Sequence, residues 1–585
     1  MNSSFLSLLV AFLGFCAGPP LTLAADAPAS TQIPIAKRIA KADAAFASND
    51  WAEYARIYRN LSRQSPGKGE YWYRLARAEQ ALGRLDAAAT SYQHALDCGY
   101  LAARTLLRLS SLEASRGHAE RAVDLFEQAR AHHLTNAEQA LQEDPALATL
   151  LSDDRWRARL FPKLADDADE ISRWRTDLDF LERRLPETHW DLFGQVDEKA
   201  WRAELKQLRA DLPRLQNWER SVRLMRWVRL GQSGHNLLIP PFQGPDAFHL
   251  APIKLAWFAD GLYVQAAPKE HAGLVGQRVL KLGKATPEAA LAALESLVPH
   301  ENDSALRQFS PVFLAIPELL KFQGLLDHRE FLDLQLVDAK GKTHDKRIAA
   351  PQLTMAALQA QIDNPEGPAD WIRARAASKQ PVPMWLARST ENYWFESLPD
   401  QRLIYFQFNA VRNDEHESLQ AFAARLQTAL RTDDTAGLVV DLRHNRGGNG
   451  ELLEPLLQAL IATPALHQQG RLYVLIGGRT FSAAALFIGD LERQLSPIFV
   501  GEPSGAGPTH LGEDNMILLP NTGQVVLAAS RLFVRSFSDD YRHALAPDLS
   551  AKPQFSDYRD NHDPVLEAAL SDWQAGQTNI LKGEP

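Results

Sequence analysis

The chain has 585 residues, of which 45% are hydrophobic and 23% are charged, and its formal net charge is −9. A chain of this length is too long for one hydrophobic core, so we expect several domains. The mildly acidic balance provides no basic surface of the kind that binds nucleic acid, and we expect no nucleic-acid partner. Beyond the N-terminus no segment reaches about 18 uninterrupted apolar residues, so no integral membrane segment is expected.

The first 25 residues are typical of a secretory signal peptide. An apolar run extends from Phe5 to Phe15, and the small residues from Thr22 to Ala25 offer a cleavage site. The first basic residue is Lys37, so the charge ahead of the apolar run is only the terminal amine. We predict an exported protein of the bacterial periplasm, with secretion as the alternative. After cleavage Cys98 would be the single cysteine, unable to form an internal disulfide.

A repeat of 34 residues follows. Asn49, Gly83 and Gly117 recur at that spacing, where a turn between two helices is expected. Small and aromatic residues recur with them at matching helix positions: Trp72 with Leu106, Ala88 with Ala122, Tyr92 with Phe126 and Tyr58, and Ala95 with Ala129. Small residues allow close helix approach, and the aromatic fills the space between stacked pairs. The pattern resembles tetratricopeptide repeats, which implies either a protein-binding surface or a brace for the next domain.

Further amphipathic helices are predicted between the repeats and the next β-rich region. Leu205, Leu208, Leu212 and Leu215 have helical spacing, although Pro213 should break a helix at that point.

The most informative region alternates strands and helices from Leu403 onwards. Predicted strands lie at 403–408, 437–442, 472–476 and 497–501, and predicted helices at 419–430, 452–461 and 483–494. Strands that alternate with helices favour right-handed crossovers and a largely parallel sheet.

Two turns at strand ends in this region combine a nucleophile with exposed backbone. Ser482 lies where a strand turns into a helix, and the loop that follows the strand ending at Leu442 contains Gly447 and Gly448. A serine at a helix start is most often a simple cap, and a glycine loop is most often a turn. Together they fit acyl transfer, in which Ser482 attacks a carbonyl and N–H groups of Gly447 or Gly448 and of Ala483 bind the oxyanion.

Four short motifs, in order, resemble those of the S41 (tail-specific, C-terminal processing) peptidases. They are Asp441-Leu442-Arg443-His444-Asn445-Arg446-Gly447-Gly448, Thr480-Phe481-Ser482-Ala483-Ala484, Gly501-Glu502-Pro503-Ser504-Gly505 and Ala546-Pro547-Asp548. The resemblance covers roughly residues 174–570. It implies a ClpP/crotonase-like α/β core and a serine endopeptidase that cleaves polypeptides through an acyl-enzyme.

The resemblance also bears on the base that activates the serine. One branch of the family uses a lysine after the nucleophile, but the segment from Gly501 to Pro508 contains no lysine. The tricorn-like branch uses a histidine far upstream in a D-G-H-T segment, to which Ser233-Gly234-His235-Asn236 is similar except at Ser233 and Asn236. The resemblance therefore implies His235 as the general base.

The third catalytic residue stays open between two carboxylates. In the histidine branch it lies shortly before the A-P-D motif, where Asp540 is the nearest match with Asp539 beside it, and Glu513 is a competitor. His444 and His510 are expected near the cleft without an assigned role.

Three functional readings follow from these patterns. The first is a serine peptidase without cofactor, because no histidine or acidic cluster has the spacing of metal ligands. The second is a binding protein that retains the fold without turnover, as in the retinoid-binding proteins of the eye. An α/β-hydrolase-type esterase is disfavoured because no G-x-S-x-G motif occurs.

The predicted fold class is multidomain α + α/β, with a PDZ-like β segment before the core. The predicted order is signal peptide (1–25), TPR-like repeats (30–165), helical lead-in with His235 (166–245), PDZ-like β segment (246–350), connecting segment (351–400) and catalytic core (401–575).

Overall fold

The structure is a computed structural model that describes residues 34–244, 246–432 and 435–582. The predicted signal peptide lies outside these residues. The chain divides into two compact units, one up to Tyr100 and one from Leu101 onwards. A search of the described helices for one long and apolar enough to cross a bilayer found none.

The first unit consists of two helical hairpins. Its helices are α1 (Ile35–Ala47), α2 (Trp51–Gln64), α3 (Gly69–Ala81) and α4 (Leu85–Asp97). Asn49 and Gly83 lie in the turns with positive φ of 57° and 72°, as the 34-residue spacing predicts. The repeated positions Tyr58, Ala88 and Tyr92 are buried, so they fill the space between helices as expected.

The second unit begins with a third hairpin of the same kind, followed by the helical lead-in. The helices are α5 (Ala102–Ser115), α6 (Ala119–Ala131), α7 (Ala137–Glu143), α8 (Pro145–Ala148), α9 (Asp154–Leu160), α10 (Glu170–Thr188), α11 (Leu192–Gln195), α12 (Glu198–Asp211) and α13 (Asn217–Arg229). Gly117 occupies the hairpin turn with a φ of 80°. Helix α12 ends just before Leu212-Pro213, where the proline was expected to break it.

A short strand and an antiparallel sheet with its helices come next. The elements are β1 (Leu237–Leu238), β2 (Lys254–Phe258), β3 (Gly261–Ala267), β4 (Arg278–Leu282), α14 (Pro287–Leu294), α15 (Asp303–Leu314), α16 (Pro317–Phe322), β5 (Phe331–Val337), β6 (Thr343–Ala349), α17 (Met355–Asp363) and β7 (Ile372–Arg373). Strands β2 to β6 pair in chain order, and β7 pairs with β3. This is the region predicted to be PDZ-like, and that finer assignment stays a prediction.

The remaining elements form the α/β core and a long hairpin. They are α18 (Met384–Ala387), β8 (Tyr393–Leu398), β9 (Leu403–Phe408), α19 (Leu419–Leu430), β10 (Gly437–Asp441), α20 (Glu454–Ile461), β11 (Leu472–Ile476), α21 (Ala483–Gln494), β12 (Ile498–Gly501), β13 (Thr509–Leu518), β14 (Val525–Val534), β15 (Leu549–Ser550), α22 (Phe555–Arg559) and α23 (Pro564–Lys582). The strand order of the core sheet is β15-β12-β11-β10-β9-β8. Pairing is parallel from β9 to β15 and antiparallel for β8, so the largely parallel sheet is confirmed. Strands β9, β10 and β11 are buried along their whole length, as strands covered on both faces should be.

A third sheet has the order β1-β14-β13, so the long hairpin pairs with the chain directly after the helical lead-in. Its turn is held by Asp177 of α10, which is fully buried. The Asp177 carboxylate accepts hydrogen bonds from the backbone N–H groups of Asn521 (3.0 Å) and Thr522 (2.7 Å) and from the Asn521 amide (2.8 Å). Helix and hairpin are therefore fixed together by one side chain.

We expect Asp177→Ala to lower the free energy of unfolding by about 3 kcal/mol, because it leaves buried donors without an acceptor. Asp179→Ala is the matched control on the same helix, since Asp179 is 68% exposed and, among the described residues, pairs with Arg209. Its loss should stay below about 1 kcal/mol. Urea unfolding of both variants measures the difference, and equal losses would contradict the assigned role of Asp177.

Candidate active site

Ser482 lies at the N-terminal end of α21 in an unusual backbone conformation. Its φ is 53° and its ψ is −127°, a region that glycine favours and other residues rarely adopt. Such a conformation costs about 1–3 kcal/mol and persists only where the surroundings enforce it. The side chain does not cap the helix, so the simple reading of Ser482 as an N-cap is not supported.

The glycine loop after β10 lies directly against this turn. Gly447 and Gly448 have positive φ values of 94° and 136°. A Cβ on Gly447 would lie 2.7 Å from both the backbone nitrogen of Ala483 and the Cβ of Ser482. Only glycine therefore allows the loop to approach the nucleophile this closely.

The backbone donors of the predicted oxyanion site are not equivalent. The N–H of Gly447 donates to Oδ1 of Asn445 at 2.9 Å and is thereby occupied. The described residues provide no acceptor for the N–H groups of Gly448 and Ala483. Of the three predicted oxyanion-binding residues, Gly448 and Ala483 have free N–H donors. Gly447 instead allows the glycine loop to lie close to Ser482 and Ala483.

Other motif residues hold the glycine loop in place. The Arg443 guanidinium lies between two carboxylates, with Nη1 at 2.8 Å from Asp563 Oδ1 and Nη2 at 2.5 Å from Asp441 Oδ2. Tyr405 donates a further bond to Asp441 at 2.7 Å. The carboxylates raise the pKa of Arg443 despite its burial, so this network stays charged and anchors the start of the loop to helix α23.

Two further motif residues connect the glycine loop to the nucleophile turn. Asn445 donates from Nδ2 to the Phe408 carbonyl at 2.9 Å, and the backbone carbonyl of Asn445 accepts from Phe481 N–H at 3.1 Å. Thr480 donates from Oγ1 to the Leu442 carbonyl at 3.0 Å. The motif residues around Ser482 thus act by fixing the two turns to each other.

The last two motifs pair with one another in the same way. Ser504 N–H donates to the Leu545 carbonyl at 3.0 Å, and Leu545 N–H donates to Ser504 Oγ at 2.8 Å. Asp548 accepts from Phe499 N–H at 2.8 Å. The segment after the nucleophile is therefore packed against the A-P-D segment, with no lysine between Gly501 and Pro508.

The third sheet positions His235. Leu237 of β1 pairs with Leu527 of β14, and His235 lies in the turn that precedes β1, where Asn236 N–H donates to the Ser233 carbonyl at 3.1 Å. On the other side of β14, Ala529 pairs with Asp514 of β13. The pairing of β14 with both β1 and β13 therefore brings the turn that carries His235 close to Asp514.

The two positions at which this segment departs from the D-G-H-T pattern also hold His235 in place. Ser233 Oγ accepts from His235 N–H at 3.1 Å and donates to Glu301 Oε1 at 3.0 Å. Asn236 accepts from Ala529 N–H at 2.8 Å, which fixes the segment to β14. The departures therefore provide local hydrogen bonds that hold the turn containing His235 in place.

The His235 ring is 8% exposed and has one bonded and one free nitrogen. Nδ1 lies 2.5 Å from Asp514 Oδ1, which fixes the proton on Nδ1. The ring stacks on Phe481, the residue before Ser482, with centroids 4.9 Å apart. Nε2 is buried and bonds to no described residue. Ser482 directly follows Phe481, on which the ring stacks, but its Oγ is not hydrogen-bonded to Nε2. Such bonds are often loose in unliganded enzymes.

The surroundings of His235 favour its charged form. Burial lowers the pKa of His235, but the hydrogen bond and charge of Asp514, together with the charge of Glu301, outweigh burial and raise it. Glu301 is itself placed by the same segment, because its Oε1 accepts from Gly234 N–H at 2.9 Å. An imidazole in this setting can accept a proton and be stabilised afterwards.

Asp514, rather than Asp540 or Glu513, is the carboxylate that contacts His235. Glu513 precedes Asp514 on β13, and neighbouring strand residues point to opposite faces, so only one of them can face His235. Both residues are exposed, and Glu513 has a positive φ of 61°. Asp540 forms an ion pair with Arg542, and the two contacts, of 2.9 and 2.7 Å, lower the pKa of Asp540. Asp514 lies on β13, which is connected to β1 through β14, so the sequence alone could not show that it lies near His235.

The two other histidines named from the sequence, His444 and His510, are both buried. His510 donates from Nδ1 to the Gly507 carbonyl at 2.7 Å, and its ring is nearly parallel to that of His235 at 6.4 Å. Burial and the neighbouring His235 lower the pKa of His510 to about 4, so it stays neutral. His444 bonds to the Trp385 carbonyl at 2.9 Å, and burial lowers its pKa as well.

Comparison with known proteins places the fold. No model of a protein family matches the sequence, and no curated protein matches it either. Among solved structures, a mutant of CPAF is 13% identical with a TM-score of 0.50, and the match covers 69% of this chain and 97% of that one. The photosystem II D1 C-terminal processing protease is 12% identical with a TM-score of 0.33, covering 69% and 97%. A protein of Bacteroides fragilis described as an S41 protease is 14% identical with a TM-score of 0.28, covering 60% and 86%.

At these identities the likeness shows a shared fold, and the CPAF match carries that conclusion. It confirms the predicted fold class of a helical array followed by an α/β core of the kind that the S41 resemblance implies.

The backbone strain at Ser482 gives a prediction of stability. Ser482→Gly removes the side chain that disfavours this conformation, whereas Ser482→Ala keeps a Cβ and therefore keeps the strain. We expect the glycine variant to be the more stable of the two by about 1 kcal/mol. Chemical unfolding measures the difference, and an alanine variant of equal or greater stability would show that the turn is unstrained.

Proposed function

We propose that the protein is a serine peptidase in which Ser482 is the nucleophile and His235 is the general base. Asp514 orients the imidazole and stabilises its charged form. The single observation that carries this proposal is the His235–Asp514 contact of 2.5 Å, formed by a buried histidine whose free Nε2 adjoins the strained Phe481-Ser482 turn. A histidine with one nitrogen fixed by a carboxylate and the other free beside a serine is the arrangement that acyl transfer requires.

The proposed reaction uses each of these groups in turn. Ser482 Oγ attacks the substrate carbonyl carbon while its proton passes to His235 Nε2, and Asp514 stabilises the imidazolium that forms. The carbonyl oxygen, now negative, accepts hydrogen bonds from the free N–H groups of Gly448 and Ala483. The proton then passes to the leaving amine, the acyl-enzyme forms, and a water activated by the same histidine hydrolyses it.

The substrate and the setting are part of the proposal. Polypeptide is the substrate class, and the helical hairpins serve as a surface for a protein partner. The proposed location is outside the cytoplasm, on the strength of the signal-like residues 1–25.

The nucleophile and base are tested with a fluorophosphonate probe, which labels an activated serine covalently. We expect wild-type protein to be labelled at Ser482, Ser482→Ala to lose the label, and His235→Gln to slow labelling by about a thousandfold. Mass spectrometry of the labelled peptide gives the site, and hydrolysis of unfolded casein gives the turnover.

His510→Gln is the matched control, since His510 is a buried histidine with a free Nε2 in the same cleft. We expect a much smaller loss than for His235→Gln. If His510→Gln abolished labelling while His235→Gln did not, the base would be His510. Absence of label on folded wild-type protein would favour the alternative of a binding protein that retains this fold.

The pH profile tests the role of Asp514. The base must be neutral, so kcat/KM should fall as the pH drops through a pKa that lies above the ordinary histidine value of 6.5. Asp514→Asn removes the main cause of the raised pKa. The acidic limb should therefore shift to lower pH while the plateau falls by about a thousandfold.

Glu513→Gln removes the neighbouring carboxylate and serves as the control for a general charge effect. Both the plateau and the position of its acidic limb should match the wild type. A shift of the limb in Glu513→Gln and none in Asp514→Asn would overturn the assignment of the third residue.

A further inference from the structure

A second site adjoins the nucleophile turn. A cavity of about 610 Å³ lies between β2, α15 and the loop after β11, and we call it the basic pocket. Its lining includes Gly477, Gly478 and Arg479, and Ser482 follows Arg479 by three residues, a separation of at most about 11 Å along the chain. The basic pocket is therefore within reach of a substrate residue close to the scissile bond.

The basic pocket contains cations that lack anionic partners. Lys254 donates to the carbonyls of Gln361 and Asn364, and Arg479 donates from Nη2 to the Ile362 carbonyl at 2.8 Å. Within the described part of the chain neither forms an ion pair. Arg479 is 8% exposed, and its buried Nε has no acceptor among the described residues.

The charges near these two residues reinforce the need for an anion. Burial, followed by the charges of Arg479 and Arg446, lowers the pKa of Lys254 to about 7. Burial and then Arg446 lower the pKa of Arg479 to about 9, against a raising effect of Asp363. Asp363 is an exposed residue that pairs with Arg446 at 3.3 Å, so Arg446 and Arg479 share its charge.

Other charged groups also line the basic pocket, among them Asp303, Arg443 and Glu502. Arg443 is already neutralised by Asp441 and Asp563. Glu502 is influenced by Lys552 and Arg307, and burial raises its pKa. Apolar side chains complete the walls, among them Trp257, Phe309, Val312 and Ile362.

We infer that the basic pocket binds a carboxylate of the substrate chain, with Arg479 and Lys254 as its ligands. An arginine with free donors and a lysine suit a carboxylate, which accepts several hydrogen bonds at once. The apolar walls suit the aliphatic part of the residue that carries it, and the volume is that of a ligand site. The carboxylate comes from an acidic side chain or from the C-terminus of the substrate. The choice of a polypeptide substrate in this inference rests on the proposed peptidase function. The binding test itself does not require turnover.

The test measures binding by the full chain carrying Ser482→Ala. Three hexapeptides of alanine and leucine, each with an uncharged fluorophore, serve as probes. The first has a central glutamate and an amidated C-terminus, the second has glutamine in its place, and the third is the glutamine peptide with a free terminal carboxylate. Fluorescence anisotropy gives the dissociation constants.

We expect at least one carboxylate peptide to bind about tenfold or more tightly than the neutral peptide. Preference for the first assigns an acidic side chain, and preference for the third assigns the substrate C-terminus. Arg479→Gln and Lys254→Met should each remove the preference while leaving the affinity for the neutral peptide unchanged. Lys269→Gln removes a positive charge that does not line the basic pocket, and its preference should match that of the parent.

Equal affinities for all three peptides, or a preference that survives both substitutions, would overturn the inference. Fluorophosphonate labelling of Arg479→Gln with Ser482 intact checks the fold of that variant, because the probe carries no carboxylate. Failure of the two proposals is distinguishable: unlabelled wild-type protein refutes the peptidase, whereas the peptide affinities decide the basic pocket independently of turnover.

Discussion

The site depends on the pairing of β1 with β14. The chain enters this sheet directly after His235, and the same β14 pairs with β13, which carries Asp514. Because the register of an antiparallel pair is set residue by residue, a slip between β1 and β14 would displace the turn that carries His235 from Asp514. The hydrogen bonds of Asn236 to Ala529 and of Asp177 to the hairpin turn hold that register from both ends. The helical lead-in thus places His235 against a hairpin that comes from a distant part of the chain.

The motif residues divide into those that carry chemistry and those that hold them in place. Arg443, Asn445 and Thr480 are buried or half-buried and use their donors within the protein. Buried charged and polar groups are stable only when fully partnered, so such residues tolerate little change. Ser482, Gly448 and Ala483 differ in that they present groups without a hydrogen-bond partner among the described residues. A short motif is informative in this chain because a catalytic residue and its supports lie a few positions apart.

The parts that sequence could predict are those in which local pattern and packing agree. Helix α19, strand β11 and helix α21 have the predicted bounds, because their apolar residues follow the period of the element they form. The 34-residue turns at Asn49, Gly83 and Gly117 appear for the same reason. Asp514 could not be found this way. Its role depends on which strands become neighbours in the third sheet, and two adjacent acidic residues on one strand look alike until that pairing is known.

Both features that make the site distinctive are locally unfavourable. Ser482 has a conformation suited to glycine, and Arg479, three residues earlier, is a buried cation with a free donor. Proteins keep such features where function requires them, because the surrounding fold offsets their cost. Arg446 directly precedes Gly447. Arg446 and Arg479, which repel one another, therefore belong to the two loops that build the oxyanion site and the nucleophile turn. An anion between Arg479 and Lys254 would reduce that repulsion, and substrate binding would then stabilise the same loops that perform the reaction.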